Sequence, residues 1–210
     1  MTRAFLLLPT LLLGGCISLL PEPAPAPALF VLEAGEVARV QGERVDAVIA
    51  VAAPDGERIL LGADMVWRTG DQIAFVAQSQ WSGRGQELLQ AMLVETMARQ
   101  GRFRAAVRLG EANSDYQLRW TVRDFEIVEA GMSARLAAEI MLLAPGRRVV
   151  ASEHVLVETP LADRSASAAA NALARAAREG SARIGLFAAD AAAQEQARVA
   201  AEASDQGGVN

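Results

Sequence analysis

The feature that most constrains the fold is a regular alternation near the centre of the chain. Every second residue from Met132 to Leu142 is apolar. Side chains alternate between the two faces of a β-strand, so this spacing places all six apolar residues on one face. The chain therefore needs a β-sheet that is covered on at least one side.

Two more long strands are predicted beside this one. Tyr116–Val122 alternates in the same way, but the apolar phase then shifts to Phe125 and Ile127. A shift of one residue predicts a β-bulge or a strong bend near Arg123–Asp124. The third long strand is predicted over Val149–Val157, which is also rich in β-branched residues.

The remaining pattern predicts shorter strands and two helices. Shorter strands are expected at Leu29–Leu32, Val45–Ala53, Met65–Arg68, Ile73–Val76 and Phe103–Val107. Helical spacing runs from Leu88 to Met97, and Gly101 is the predicted stop of this helix. A second helix is predicted to begin near Ser165 and to fray after Ser204. The predicted fold is α+β: a single domain with an antiparallel-rich β-sheet and two main helices packed on one face.

The N-terminus predicts a lipoprotein signal. A basic start and a short apolar run precede Gly14-Gly15-Cys16, and Cys16 is the only cysteine. That arrangement is similar to the bacterial lipobox, which implies acylation of the Cys16 thiol and cleavage between Gly15 and Cys16. An incidental cysteine near the end of an ordinary secretory signal is the alternative.

A proline-rich segment follows the predicted anchor. Proline occupies every second position from Pro21 to Pro27, which favours an extended polyproline conformation. The predicted organisation is a signal peptide (1–15), an acylated cysteine and tether (16–28), an α+β domain (29–190), and an Ala-rich helical extension with a disordered tail (191–210). In similar lipoproteins, the absence of Asp after the cysteine implies sorting to the outer membrane.

Composition argues against several functional classes. The 210 residues carry a formal net charge of −5 without a basic block, which does not suit a nucleic-acid partner. All 20 basic residues are Arg, so a phosphate-loop lysine and Schiff-base chemistry are excluded. We predict no catalytic, cofactor-binding or metal-binding residue.

Three local features of the sequence are candidate sites. His154 has Ser152 and Glu153 as neighbours, but adjacent strand residues point to opposite faces, so a structural or surface role is favoured. Trp81 follows a predicted strand, and both core packing and a partner surface are open for it. Asp124, Glu126 and Glu129 are expected to lie in a solvated loop, because no calcium-loop spacing accompanies them.

The order of these features resembles a known family. The residues that carry the resemblance are the lipobox, the tether, Val66-Trp67-Arg68-Thr69-Gly70, Gln80-Trp81, Met97-Ala98-Arg99-Gln100-Gly101, Phe103-Arg104-Ala105-Ala106-Val107, Asp115-Tyr116-Gln117-Leu118, Phe125-Glu126 and the long last helix. Together they resemble the ABC-type transport auxiliary lipoprotein family, which includes the outer-membrane lipoprotein of the paraquat-inducible (Pqi) system. The Ala-rich tail after Asp190 departs from the family pattern.

The resemblance implies a non-catalytic function. It implies an auxiliary subunit of an MCE-type ABC transporter that moves phospholipid or other hydrophobic molecules, anchored by its acyl chains in the outer membrane of a Gram-negative bacterium and facing the periplasm. The implied partners are an MCE-domain protein, a permease and an ATPase. A periplasmic lipid-binding carrier and an envelope-assembly lipoprotein are the alternatives.

Replacing the predicted lipid attachment site gives a direct test. We expect Cys16→Ala to abolish acylation, because the thiol is the only group in the chain that the lipobox reaction can acylate. Radiolabelled palmitate should enter the wild-type chain and not the variant. Label in the variant at wild-type level would contradict the lipobox prediction.

Overall fold

A computed structural model describes residues 25–207 of the chain. Their elements are β1 (Ala28–Phe30), β2 (Val45–Val51), β3 (Asp55–Gly56), α1 (Arg58–Leu61), β4 (Asp64–Thr69), β5 (Gln72–Trp81), α2 (Gly85–Gln100), β6 (Phe103–Arg108), β7 (Tyr116–Val128), β8 (Ser133–Ala144), β9 (Arg148–Pro160) and α3 (Ala166–Gly207). Short 3-10 turns at Glu129–Gly131 and Pro145–Arg147 connect the last three strands.

One mixed sheet contains all nine strands, with β7 at its centre. On one side β7 pairs with β8, and β8 pairs with β9, both antiparallel. On the other side β2, β3 and β4 meet successive parts of β7, all in parallel. β6 then flanks β2, while β5 and β1 extend the sheet beyond β4.

The predicted α+β class is confirmed, with one refinement of the sheet. Its longest pairings are antiparallel, but β1, β2, β3 and β4 also make parallel pairings that the sequence did not predict. The helical segments α1 and α2 return the chain between strands and so allow parallel neighbours, which a tight hairpin cannot join. The sheet is therefore mixed.

The predicted bulge in β7 is present. The pairing of β7 with β8 shifts register between Val122 and Asp124. Because of this shift, Trp120 and Val122 before the bulge and Phe125 and Ile127 after it are all buried. The indole N–H of Trp120 donates to the Ala52 carbonyl at 2.9 Å, which satisfies the one polar atom of this side chain.

The two main helices cover one face of the sheet, as predicted. α2 buries Leu89, Met92, Leu93 and Met97 and ends at Gly101, whose left-handed backbone lets its N–H donate to the Met97 carbonyl. At the start of α3, the Ser165 hydroxyl accepts a hydrogen bond from the Ala168 N–H at 3.1 Å.

α3 approaches its neighbours closely because it presents glycine at two contacts. A Cβ on Gly180 would lie 2.3 Å from Leu136 Cδ2 in β8, and one on Gly185 would lie 2.2 Å from Gln100 Oε1 in α2. The Gln100 amide in turn donates to the Ala182 carbonyl of α3 at 2.9 Å. Helix α3 therefore lies so close to β8 and α2 that neither glycine position has room for a side chain.

The last helix continues beyond its predicted end. α3 remains helical to Gly207, where the sequence predicts fraying from Ser204. It crosses residue 190 without interruption, and Ala192 and Glu195 beyond that position are buried. Residues 196–205 are all exposed. The last turns of α3 therefore rest on the high helix propensity of their Ala-rich sequence and on the Arg198–Glu202 pair, not on burial against the sheet.

A charge placed in the helix–sheet core should unfold the domain. Leu93 and Ile184 are fully buried, so Leu93→Asp or Ile184→Asp would bury an unpaired carboxylate at a cost of about 4 kcal/mol or more. Val199→Asp on the exposed part of α3 is the matched control, with an expected change within about 0.5 kcal/mol. Thermal denaturation followed by circular dichroism measures both, and equal midpoints would contradict the assigned core.

Candidate docking surface

The residues singled out by sequence fall in different places. Gly15 and Cys16 lie outside the described residues. Trp81 lies in the core, where it is 3% exposed and its ring stacks on Phe125 with centroids 6.0 Å apart. Of the two roles that the sequence leaves open for Trp81, its burial fits core packing.

His154 is exposed on β9, directly opposite Glu139 of β8. Glu139 accepts a hydrogen bond from Arg123 at 2.7 Å, and this contact lowers the pKa of the carboxyl. The carboxylate next to His154 is thus already paired with a guanidinium. Within residues 25–207, His, Asp and Glu side chains form no group of three that could hold a metal ion.

The acidic residues of the 124–129 region are not in a solvated loop, which corrects the sequence expectation. β7 extends to Val128, and its parallel pairing with β4 buries Glu126, which is 1% exposed. The Arg68 guanidinium donates to Glu126 at 2.6 Å, and this hydrogen bond raises the pKa of Arg68. Glu129 pairs with Arg164 at 2.6 Å, and its pKa is lowered, chiefly by the Thr69 hydroxyl that donates to it.

A groove of about 440 Å³ lies at the end of the sheet where β7 begins. One wall is the last part of α3, including Glu195, Val199 and Ala203. The opposite wall comes from β2, the start of β7 and the turn between β8 and β9, including Tyr116 and Arg148. We call this surface the distal groove, because it lies at the opposite end of β7 from the β4–β5 hairpin turn.

Charged pairs border the distal groove. Glu195 is 8% exposed and accepts hydrogen bonds from Arg148 and from Arg198, the latter at 2.9 Å. Both arginines lower the pKa of Glu195, and the hydrogen bond from Arg198 is the largest single cause. Nearby, Arg104 reaches Asp46 at 3.1 Å and Asp115 at 3.5 Å. Burial and the Glu195 charge raise the pKa of Tyr116, so its hydroxyl stays protonated at neutral pH.

The structure also identifies the edge strands, which the sequence did not. β9 forms one edge of the sheet, and part of it is covered by α3. Arg183 donates to the Leu156 carbonyl at 3.1 Å, and Arg175 donates to the Pro160 carbonyl at 2.7 Å. These side chains occupy backbone groups that an added strand would need.

Across the described residues, α3 included, the helices lack a stretch that is both long enough and apolar enough to span a bilayer.

The fold is an α+β sandwich of one mixed sheet and two helices, and comparison with known proteins assigns its family. Residues 30–185 match the model of the ABC-type transport auxiliary lipoprotein component. This match covers most of the chain, and the protein belongs to that family of transport-system lipoproteins. The predicted family is confirmed.

Solved structures share the fold. A crystal structure of a DUF330-family protein from Xanthomonas campestris has a TM-score of 0.73 and 22% identity, and the match covers 80% of this chain and 98% of that one. A crystal structure of an uncharacterized protein has a TM-score of 0.63 and 16% identity, covering 78% and 99% respectively. A comparison with curated proteins gives no match.

Acid should loosen the last turns of α3 from the sheet. The pKa of Glu195 lies below its ordinary 4.5 in the folded chain. The ionised carboxylate therefore stabilises the folded end of α3 fully above pH 4.5, and this stabilisation is lost as the pH falls through the pKa of the folded state. We expect hydrogen-exchange protection of residues 191–203, corrected for intrinsic rates, to fall in that acidic range.

A matched pair of variants isolates this carboxylate. Glu195→Gln should lower the protection at neutral pH and remove most of the acid dependence. Glu202→Gln, which loses only an exposed pair with Arg198, should retain both. Identical profiles for the two variants would show that Glu195 does not hold the helix end.

Proposed function

We propose that this protein is a non-catalytic, lipid-anchored auxiliary subunit of an MCE-type ABC transporter that moves phospholipid or other hydrophobic molecules between the inner and outer membranes. Its anchor is the acylated Cys16 in the outer membrane, and its domain faces the periplasm. Membership of the transport-auxiliary lipoprotein family supports an association with an ABC transporter. The MCE-domain protein, the permease and the ATPase are the proposed partners.

The observation that supports this proposal is that the described chain enters the domain on one side and that the distal groove lies on the other. β1 runs parallel to β5, so the described residues before it, 25–27, enter from the side of the β4–β5 turn. The distal groove lies at the other end of β7, a 13-residue strand that spans roughly 40 Å at 3.3 Å per residue. A domain tethered at one end and open at the other is suited to hold a partner away from the membrane.

The distal groove has the properties of a docking site for a protein segment. Its lining combines small apolar residues, such as Ala47 and Ala144, with the exposed Val199 of α3. Paired charges surround these residues, as in protein interfaces that have an apolar centre and a polar rim. We assign this groove to the MCE-domain partner.

A lipid-carrier function is less well supported. A carrier would need room for an acyl chain between helices and sheet, whereas Gly180 and Gly185 of α3 lie close against Leu136 and Gln100. The envelope-assembly alternative differs from our proposal only in its partner, so identifying the partner decides between them.

Site-specific photocrosslinking tests both the partner and the surface. A photoreactive amino acid replaces Val199 in the groove, and in the control it replaces Leu156, which is similarly exposed on β9. After irradiation of whole cells, mass spectrometry of the tagged lipoprotein should identify an MCE-domain protein at position 199 and not at position 156. The same protein and its ATPase should also co-purify from solubilised envelopes.

Other outcomes contradict different parts of the proposal. Recovery of a different outer-membrane assembly at position 199 would contradict the transporter function, and the groove would still be the docking surface. Crosslinks to an MCE-domain protein at position 156 alone would retain the function and move the docking surface to β9.

A further inference from the structure

We propose that the β4–β5 hairpin is a second membrane contact, in which Ile73 and Phe75 insert into the lipid interface beside the acyl anchor. This inference rests on the proposed anchor at Cys16 but is independent of the transporter partner. It assigns to the domain a fixed orientation on the membrane in addition to its tether.

The first argument is the exposure of the hairpin. Ile73 is 39% and Phe75 is 53% exposed, and all four residues from Gln72 to Phe75 are exposed. This part of β5 therefore extends beyond the body of the domain. Ile73 and Phe75 are two residues apart on one strand, so their side chains share a face. An amphipathic arm with two large apolar residues on one side is suited to an interface between water and lipid.

The second argument is the direction of the tether. Ala28, Leu29 and Phe30 of β1 pair in parallel with Ser79, Gln80 and Trp81 of β5. The residues before β1 therefore come from the side where β5 begins, which is the side of the hairpin turn. Leu29 on the same pair of strands is also exposed, at 67%. The exposed residues 25–27 thus enter β1 from the side of the hairpin turn.

The third argument is the length of that chain. Ala28 is the twelfth residue after Cys16, which allows a reach of at most about 40 Å when the chain is fully extended. An anchor this close gives the hairpin a high effective concentration at the bilayer. Two partly inserted side chains are then sufficient, although they would not hold a free protein on a membrane.

The charges near the hairpin favour an apolar contact over an electrostatic one. Arg68, which lies opposite Ile73 on β4, is already paired with Glu126, and Arg164 is paired with Glu129. Asp71 in the turn is exposed and adds negative charge. This surface therefore offers little net positive charge to anionic headgroups, and the two side chains of β5 provide the attraction.

A fluorescent probe on the full acylated lipoprotein tests the contact. Acylation blocks Cys16, so a cysteine introduced by Phe75→Cys is the only thiol for an environment-sensitive NBD label. Val149→Cys is the matched control, because Val149 is also 53% exposed but lies at the start of β9, far from the hairpin turn. Both proteins are reconstituted into vesicles of phosphatidylethanolamine and phosphatidylglycerol.

We expect the probe at position 75 to shift its emission to the blue in vesicles and to be quenched by lipids with a nitroxide on the acyl chain. The probe at position 149 should show neither effect. In a second measurement, vesicles should increase the hydrogen-exchange protection of residues 72–75 in the wild-type protein. Ile73→Ser/Phe75→Ser should remove that increase and leave the thermal midpoint unchanged.

Three results would overturn the proposal. The first is an unshifted probe at position 75 in vesicles that hold the acylated protein. The second is a shift that depends on protein concentration, which would assign the surface to a second copy of the chain. The third is a shift that needs added envelope proteins, which would assign it to a protein partner. None of these measurements involves the transporter, so failure of the crosslinking experiment at Val199 would leave this result unaffected.

Discussion

The rest of the structure depends on the pairing of β7 on both of its sides. This strand has 13 residues, and three separate strands share one of its edges while β8 occupies the other. Its backbone groups are therefore satisfied along nearly the whole length, in the middle of the domain. The bulge near Arg123–Asp124 keeps apolar side chains on the helical face on both sides of the irregularity.

The pairing also explains the ion pair between the half-buried Arg68 and the buried Glu126. Where β4 joins the end of β7, Glu126 lies opposite Val66, and Arg68 is close enough to donate to its carboxylate. One carboxylate oxygen of Glu126 has no hydrogen-bond partner in the described structure. A half-satisfied buried carboxylate is costly to leave without its arginine, so the pair fixes how β4 lies against β7.

The sequence predicted the elements well and their arrangement only in part. The alternation of Met132–Leu142, the phase shift at Arg123–Asp124 and the stop at Gly101 are local signals, and each was confirmed. The parallel pairings of β2 and β4 with β7 join residues that are distant in sequence. The alternation of residues within one strand does not indicate which other strand will pair with it. For the same reason the burial of Trp81 against Phe125, and of Glu126 against Arg68, had no local signature.

The distal groove was the least predictable feature. Its walls come from α3, β2, β7 and the β8–β9 turn, and an Ala-rich segment past Asp190 shows no apolar stripe that would reveal a docked helix. A hint was present in Glu195, since an acidic side chain in a weakly amphipathic segment needs a partner such as Arg148 if it is to be buried.

The order of the elements has a consequence for how the domain folds, because α3 follows all nine strands of the sheet. Until its 42 residues have been synthesised, the apolar face of the sheet is half-covered and the carbonyls of Leu156 and Pro160 lack their arginine donors. A chain released early would carry an open strand edge beside exposed apolar surface, the combination that promotes aggregation. The docking of α3 is thus the step that covers both the apolar face and the strand edge of this domain.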